Sequence, residues 1–177
     1  PIKDFESAKV RLSTVLDSNA RADLAKELAT SVVSACLETP VFIACEDDAV
    51  ESWARDLGAD ILRNPSEGLN EAVDFGFRSL SERGFESVLI THGDLVYPSG
   101  LLSLFEMEEI VIVPDSELDG TNVLVLPTNI DFEFSYGPGS YTRHLKSATM
   151  LEAEVLVVAD SPFSVDIDDP DDLHHVL

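Results

Sequence analysis

The amino-acid sequence predicts an α/β protein, a three-layer α/β/α sandwich on a mainly parallel mixed sheet. Two observations predict it. Apolar runs of strand length alternate with longer stretches of helical periodicity through the front half of the chain, the pattern of βα winding. Pro40, Gly58 and Gly84 stand where the helical stretches must stop.

Taken in order, Asp17 and Ser18 precede a run over residues 19–39 in which Leu24, Leu28, Val32, Ala35 and Leu37 recur at near-helical spacing, ended by Pro40. A strand over 41–45, an acidic loop and a helix over 50–57 follow. The pattern repeats with a strand over 60–62, a helix over 68–83 and a strand over 87–91 that runs into Gly93 and Asp94. The back half reads as a helix near 99–107, strands over 110–113 and 123–126, a helix near 141–153 and a strand over 155–158. Two strands in succession there predict a mixed edge to the sheet. No repeat or Pro/Gly/Ser linker divides the chain, so residues 1–177 are assigned to one domain. The chain begins at Pro1, and its first strand is expected to be truncated. In an open sheet of this kind ligands sit beyond the carboxyl ends of the strands, in the loops after Ile2, Leu62, Thr91 and Val113.

Composition narrows the function. The chain carries 34 acidic and 11 basic residues, a formal net charge of −23, with lysine only at positions 3, 9, 26 and 146. Nucleic-acid binding is disfavoured by that balance, and no stretch approaches a membrane span. The acids are dispersed, in groups such as Glu46, Asp47 and Asp48, as a solvated shell. Their repulsion is screened in concentrated salt, where the Debye length falls to about 3 Å at 1 M. A salt-rich cytoplasm is the expected setting. Cys36 and Cys45 have neither a metal-binding nor a redox spacing and are expected to be reduced and buried.

Against this anionic background Lys3, Lys9 and Arg11 gather in the opening loop. Cations in a post-strand loop suit a triphosphate, although they could equally balance neighbouring acids. Asp94 stands just past an apolar strand, a common place for the first carboxylate of a Mg²⁺ site, and also for a turn aspartate. In extended chain Asp166 and Asp168 project to one side while Ile167 turns to the core. A divalent ion would let such neighbouring carboxylates stay ionised; a solvated acidic tip is the other reading. Gly137 and Gly139 permit close approach of backbone N–H groups to a ligand, and Ser140 can cap the following helix, with His144 one turn on. Taken alone, these residues read as an ordinary capped turn and a surface histidine.

As an ordered set these elements resemble the CofC/FbiD family of guanylyltransferases of coenzyme F(420) biosynthesis. The resemblance rests on Pro1 and Lys3 with Ala8, Lys9, Arg11 and Leu12, then Gly68, Leu69 and Asn70, Asp94 and Leu95, Pro114 and Asp115, and Gly120, Thr121 and Asn122. It continues with Gly137, Gly139, Ser140 and His144, and ends on Asp166, Asp168, Pro170, Asp172 and Leu173. It implies the nucleotidyltransferase fold of MobA-like, GT-A type enzymes. It implies that Lys3, Lys9 and Arg11 hold the phosphates of GTP, that Gly68, Leu69 and Asn70 lie against the nucleoside, and that Asp94, Asp166 and Asp168 bind Mg²⁺. Thr121, Asn122, Gly137, Gly139, Ser140 and His144 would hold the acceptor, a small phosphorylated carboxylic acid: 2-phospho-L-lactate, phosphoenolpyruvate or 3-phosphoglycerate. The salt-rich setting favours the first. A homodimer and a downstream transferase that consumes the guanylated product are further implications. The sequence departs from the family pattern at His92 and at Val96, where a proline usually follows the Asp-Leu pair. MobA-like and sugar-nucleotide enzymes usually open on a Gly-rich loop that is absent here, and three retained carboxylates speak against a non-catalytic nucleotide-binding module.

Overall fold

A computed structural model describes residues 1–63, 68–107 and 110–176. Helix α1 (Ser18–Cys36) starts where the Asp17 carboxylate accepts from the Ala20 N–H, and it turns Leu28, Ala29, Val32, Val33 and Cys36 inward; of the apolar positions marked by spacing, Leu28 and Val32 are buried, Leu24 and Ala35 are half-buried and Leu37 is exposed. Strand β1 (Phe42–Cys45) follows. Helix α2 (Asp48–Asp56) is capped in the same way by Asp47, which accepts from the Val50 N–H. Strand β2 (Asp60–Arg63) then pairs parallel to β1, with Phe42 opposite Asp60. Helix α3 (Leu69–Glu82) begins after Gly68, whose φ of 120° is one that a side chain would resist, and strand β3 (Ser87–Thr91) follows it.

The remaining strands are β4 (Ile110–Pro114), β5 (Thr121–Pro127) and β6 (Val155–Val157), with helix α4 (Ser140–Met150) between the last two. They form a sheet in the order β3-β5-β4-β6, in which β5 is antiparallel to both neighbours and β6 is parallel to β4. The sheet is mixed, as expected, but its antiparallel strand lies in the interior and not at an edge. Burial explains the placement: Thr121 to Leu126 are all buried, which only a strand covered on both faces permits.

Alternation along β4 and β5 divides the core into two layers. Ile110, Ile112, Leu124 and Leu126 pack with Val73, Phe77 and Leu80 of α3 and Ala148 of α4. Val111, Val113, Val123 and Val125 face the other way, onto Val32 and Cys36 of α1. Helices therefore cover both faces, the α/β/α arrangement predicted. Strands β1 and β3 line an apolar cleft of about 490 Å³ together with Ala29, Val33 and Phe77, and Ile2 donates its N–H to the Ala44 carbonyl there at 2.9 Å.

One helix differs from expectation. Residues 101–106 form a 3-10 helix, with bonds from the Leu101 N–H to the Pro98 carbonyl and from the Ser103 N–H to the Gly100 carbonyl. The segment is too short to nucleate an α-helix, and the tighter winding aligns Leu101 and Leu104 on one buried side. Both cysteines are free and buried. No helix among the described residues is long and apolar enough to cross a membrane.

Candidate active site

Because β5 runs against β3, its first residues lie beside the carboxyl end of β3: Thr91 faces Val123, and the His92 N–H donates to the Asn122 carbonyl at 3.2 Å. Four separated stretches meet at this end. Leu95, fully buried, forms an antiparallel bridge with Asp166, which sets Asp94 beside the carboxyl-terminal acidic segment. Ile167 is buried as the alternation predicts, packed with Leu12 and Leu28, and this contact brings the opening loop to the same place. Carboxylate oxygens of Asp94, Asp166 and Asp168 lie within 4.8 Å of one another.

Lys9 reaches into that cluster. Its backbone is left-handed, φ 54° and ψ 41°, a conformation that costs a side-chain-bearing residue about 1–2 kcal/mol. Its Nζ lies 2.5 Å from Asp94 Oδ2 and 3.4 Å from Asp168 Oδ1, with the side chain only 8% exposed. Burial works against the ammonium, but Asp94 and Asp168 outweigh it and raise the Lys9 pKa. The Asp94 carboxyl is likewise pulled up by burial and then held below the usual range by Lys9 and His92. Arg11 Nη1 stands 3.5 Å from Asp168 Oδ2 in solvent, where such a pair contributes little. Lys3 is exposed and makes no ion pair among the described residues.

The donor set fits a hard divalent cation. Its ligands are all oxygen, and Asp94 Oδ1 is buried with no hydrogen-bond partner among the described residues, a cost that a cation would remove. Asp166 carries the complementary sign of strain. Burial first, then Asp94 and Asp168, push its pKa up to about 7. A carboxyl raised in the fold contributes stability that is complete below its unfolded pKa, near 3.9, and is lost as pH rises through about 7. In metal-free protein, Asp166→Asn should therefore raise the melting temperature by an amount that grows from pH 4 to pH 8. After screening, roughly 1 kcal/mol or about 3 °C is expected. A gain that was constant across this range would contradict the assignment.

The predicted acceptor residues form a second, neutral group next to the first. Asn122 Nδ2 donates to the Phe163 carbonyl at 3.2 Å and to Asp166 Oδ1 at 3.4 Å, so it joins the two groups. Ser140 donates to the Thr121 hydroxyl at 3.3 Å, and His144 Nδ1 lies 3.0 Å from the same oxygen. His144 is fully buried, which corrects the surface position that a lone helical histidine suggests. Its Nε2 accepts from the Ser135 N–H at 2.9 Å, so the proton sits on Nδ1 and is donated to Thr121. Burial, with Arg143 nearby, lowers its pKa to about 4. Both ring nitrogens are thus committed to the protein, and His144 acts on a ligand only through Thr121.

Two loops carry the ends of this group, and their ties through Asp119 and Arg143 are ones that sequence reading missed. Asp115 accepts from the N–H groups of Glu117, Asp119 and Gly120, closing its loop on itself. Asp119 then accepts from the Gly139 N–H at 3.0 Å, in the turn where Gly139 takes a φ of 74°. Arg143 spans the other side, donating to the carbonyls of Ser135 at 2.9 Å, Gly137 at 3.3 Å and Pro138 at 2.6 Å. Arg143 stands one turn after Gly139, a spacing that could have suggested the clamp. Asn70 pairs both ends of its amide with the Tyr136 backbone, at 2.6 Å and 3.5 Å, while Gly68 and Leu69 stay exposed at the start of α3. Arg143→Ala should free the loop over 135–139 and raise the KM for the acceptor about tenfold, roughly 1.4 kcal/mol, with little change in the KM for nucleotide. Equal effects on both substrates would separate this loop from the acceptor.

Comparison with known proteins gives the family and the fold. The family described as guanylyl transferase CofC like matches residues 1–177. A phosphoenolpyruvate guanylyltransferase of Rubrobacter xylanophilus is 36% identical over 182 residues, 98% of this chain and 89% of that protein. A 2-phospho-L-lactate guanylyltransferase of Methanocaldococcus vulcanius is 25% identical over 183 residues, 100% of this chain and 82% of that protein. Among solved structures, one described as a nucleotide-diphospho-sugar transferase from Desulfovibrio desulfuricans superposes with a TM-score of 0.83 over 99% of this chain and 83% of that one, at 16% identity, a likeness of fold. By sequence along its whole length and by fold, the chain belongs to the CofC-like guanylyl transferase family of nucleotidyltransferases.

Proposed function

We propose that the chain transfers GMP from GTP to a small phosphorylated carboxylic acid, 2-phospho-L-lactate, in a salt-rich cytoplasm. The observation that carries the reading is the cluster of Asp94, Asp166 and Asp168, within 4.8 Å of one another and contacted by Lys9. An oxygen of the acceptor phosphate attacks the α-phosphorus of GTP; the new P–O bond forms as the bond to the β-phosphate oxygen breaks, and pyrophosphate leaves. Such a displacement needs alignment and neutralised charge more than an acid or base side chain. Asp94, Asp166 and Asp168 would hold Mg²⁺, which when bound supplies positive charge to the phosphate oxygens. Lys3, Lys9 and Arg11 neutralise the departing pyrophosphate. Gly68, Leu69 and Asn70 bound the nucleoside, Asn70 by fixing Tyr136. Thr121 offers its hydroxyl proton to the acceptor, oriented by Ser140 and His144, which both donate to its oxygen, with backbone N–H groups near Gly137 and Gly139.

The acidic, lysine-poor composition supports 2-phospho-L-lactate through the setting it implies. The 36% identical relative named for phosphoenolpyruvate favours that acid as the second reading. The product is a phosphoanhydride, so a downstream transferase that consumes it belongs to the proposal, as does a homodimer. Pyrophosphate release measured with GTP or ATP against 2-phospho-L-lactate, phosphoenolpyruvate and 3-phosphoglycerate tests it. Release with GTP and 2-phospho-L-lactate above the other pairs is the expected outcome. A preference for another acid would replace the acceptor, and no release with any pair would overturn the reading.

A further inference from the structure

Lys9 presents a conflict that its assignment to the triphosphate does not resolve. Its ammonium is bonded to Asp94 at 2.5 Å and stands 3.4 Å from Asp168, two of the three carboxylates that the proposed function gives to the metal. A Mg²⁺ ion takes oxygen ligands at about 2.0–2.1 Å; held by the unpartnered Asp94 Oδ1 and by Asp168, it would stand beside the ammonium on Asp94 Oδ2, and the two cations repel each other there. The side chain is 8% exposed, and its left-handed backbone aims it inward from the start of a 3-10 helix seated by the buried Leu12. Lys9 is not drawn in as a chance surface partner. It is built into the cluster and screens three carboxylates from one another, a task for which Arg11, 72% exposed and at 3.5 Å, is poorly placed.

We propose that Lys9 is a resident counter-cation of the carboxylate cluster, displaced when the divalent metal enters and transferred to the nucleotide phosphates, so that metal and nucleoside triphosphate each raise the other's affinity. The proposal rests on the reading of Asp94, Asp166 and Asp168 as metal ligands. Metal alone must expel an ammonium whose ion pairs among the described residues, with Asp94 and Asp168, are both to proposed metal ligands. Metal arriving with a triphosphate supplies that anion, and the flexible four-carbon stem of lysine permits the exchange. The coupling is reciprocal: whatever factor the nucleotide adds to metal affinity, the metal adds to nucleotide affinity. The arrangement also limits capture of stray divalent ions by a highly acidic protein in the absence of substrate.

Calorimetric titration of Mn²⁺ into the protein, with and without the non-transferable analogue α,β-methylene-GTP, tests this without turnover. In the wild type the analogue should tighten Mn²⁺ binding more than tenfold. In Lys9→Met, and in Lys9→Gln as a polar replacement, Mn²⁺ alone should bind about tenfold more tightly than to the wild type, and the tightening by the analogue should fall to about threefold or less. A wild-type factor near one would overturn the proposal, and this measurement needs no variant to fold. Unchanged or weaker Mn²⁺ binding in both Lys9 variants would also overturn it while leaving the metal site standing. Mn²⁺ binding that Asp94→Asn and Asp168→Asn do not weaken would instead remove the metal site, and this proposal with it.

Discussion

Asp94→Asn and Asp168→Asn are each expected to lower kcat by roughly 10³-fold or more while the circular dichroism spectrum stays that of the wild type. The magnitude follows from the chemistry. Charge that develops on transferring phosphate oxygens is stabilised by a cation and by oriented donors, and removing one such element typically costs about 10²–10³ in rate. These variants also weaken the grip on the metal. The intact fold follows from position. The Asp168 side chain is 55% exposed and the Asp94 side chain 23% exposed, and neither belongs to an apolar cluster, whereas their neighbours Leu95 and Ile167 are fully buried. Asp94→Asn leaves Lys9 with Asp168 alone, but it also removes a negative charge from a crowded set, so the two effects on stability oppose each other. Turnover at a near wild-type rate by either variant in saturating Mg²⁺ would remove that residue from the site.

The second large effect is on stability. The unfolding midpoint should climb steeply with KCl between 0.1 M and about 1 M and then flatten, as the Debye length falls from about 10 Å to about 3 Å. The net charge of −23 sets the direction, because dispersed carboxylates repel most at low salt. A few kcal/mol of repulsion removed from a chain of this size corresponds to a rise of roughly 10 °C. Mg²⁺ with a GTP analogue should add a further increment through binding to the folded state. That increment should vanish in the Asp94→Asn, Asp168→Asn double variant while the KCl response persists. A midpoint flat or falling with KCl would remove the salt-adapted setting, and with it the chief reason for preferring 2-phospho-L-lactate.

What the sequence made legible depended on the range of the forces involved. Helix starts at Asp17 and Asp47 and stops at Gly58 and Gly84 are local chemistry, and the structure places them within two or three residues of expectation. Strand direction is not local. The apolar run that became β5 reads the same whether parallel or antiparallel, and its interior place follows from packing on both faces by helices distant in sequence. The site divides in the same way. Asp94, Asp166 and Asp168 could be marked by strand ends and alternation, and they do meet. The burial of His144 and the tie of Asp119 to Gly139 arise only once the two loops are brought together, whereas the Arg143 clamp lies within residues 135–143 and its spacing was there to be read.

Joining the α-phosphate of GTP to the phosphate of a small carboxylic acid creates a new phosphoanhydride bond. Phosphorus NMR of GTP, 2-phospho-L-lactate and Mg²⁺ with the protein in molar KCl reads that bond directly. A new pair of coupled phosphoanhydride resonances is expected to grow in step with pyrophosphate, with neither signal when the acid is omitted or Asp94→Asn replaces the wild type. Conversion of GTP to GDP and inorganic phosphate, or an unchanged GTP spectrum with this acid and with phosphoenolpyruvate in its place, would contradict it.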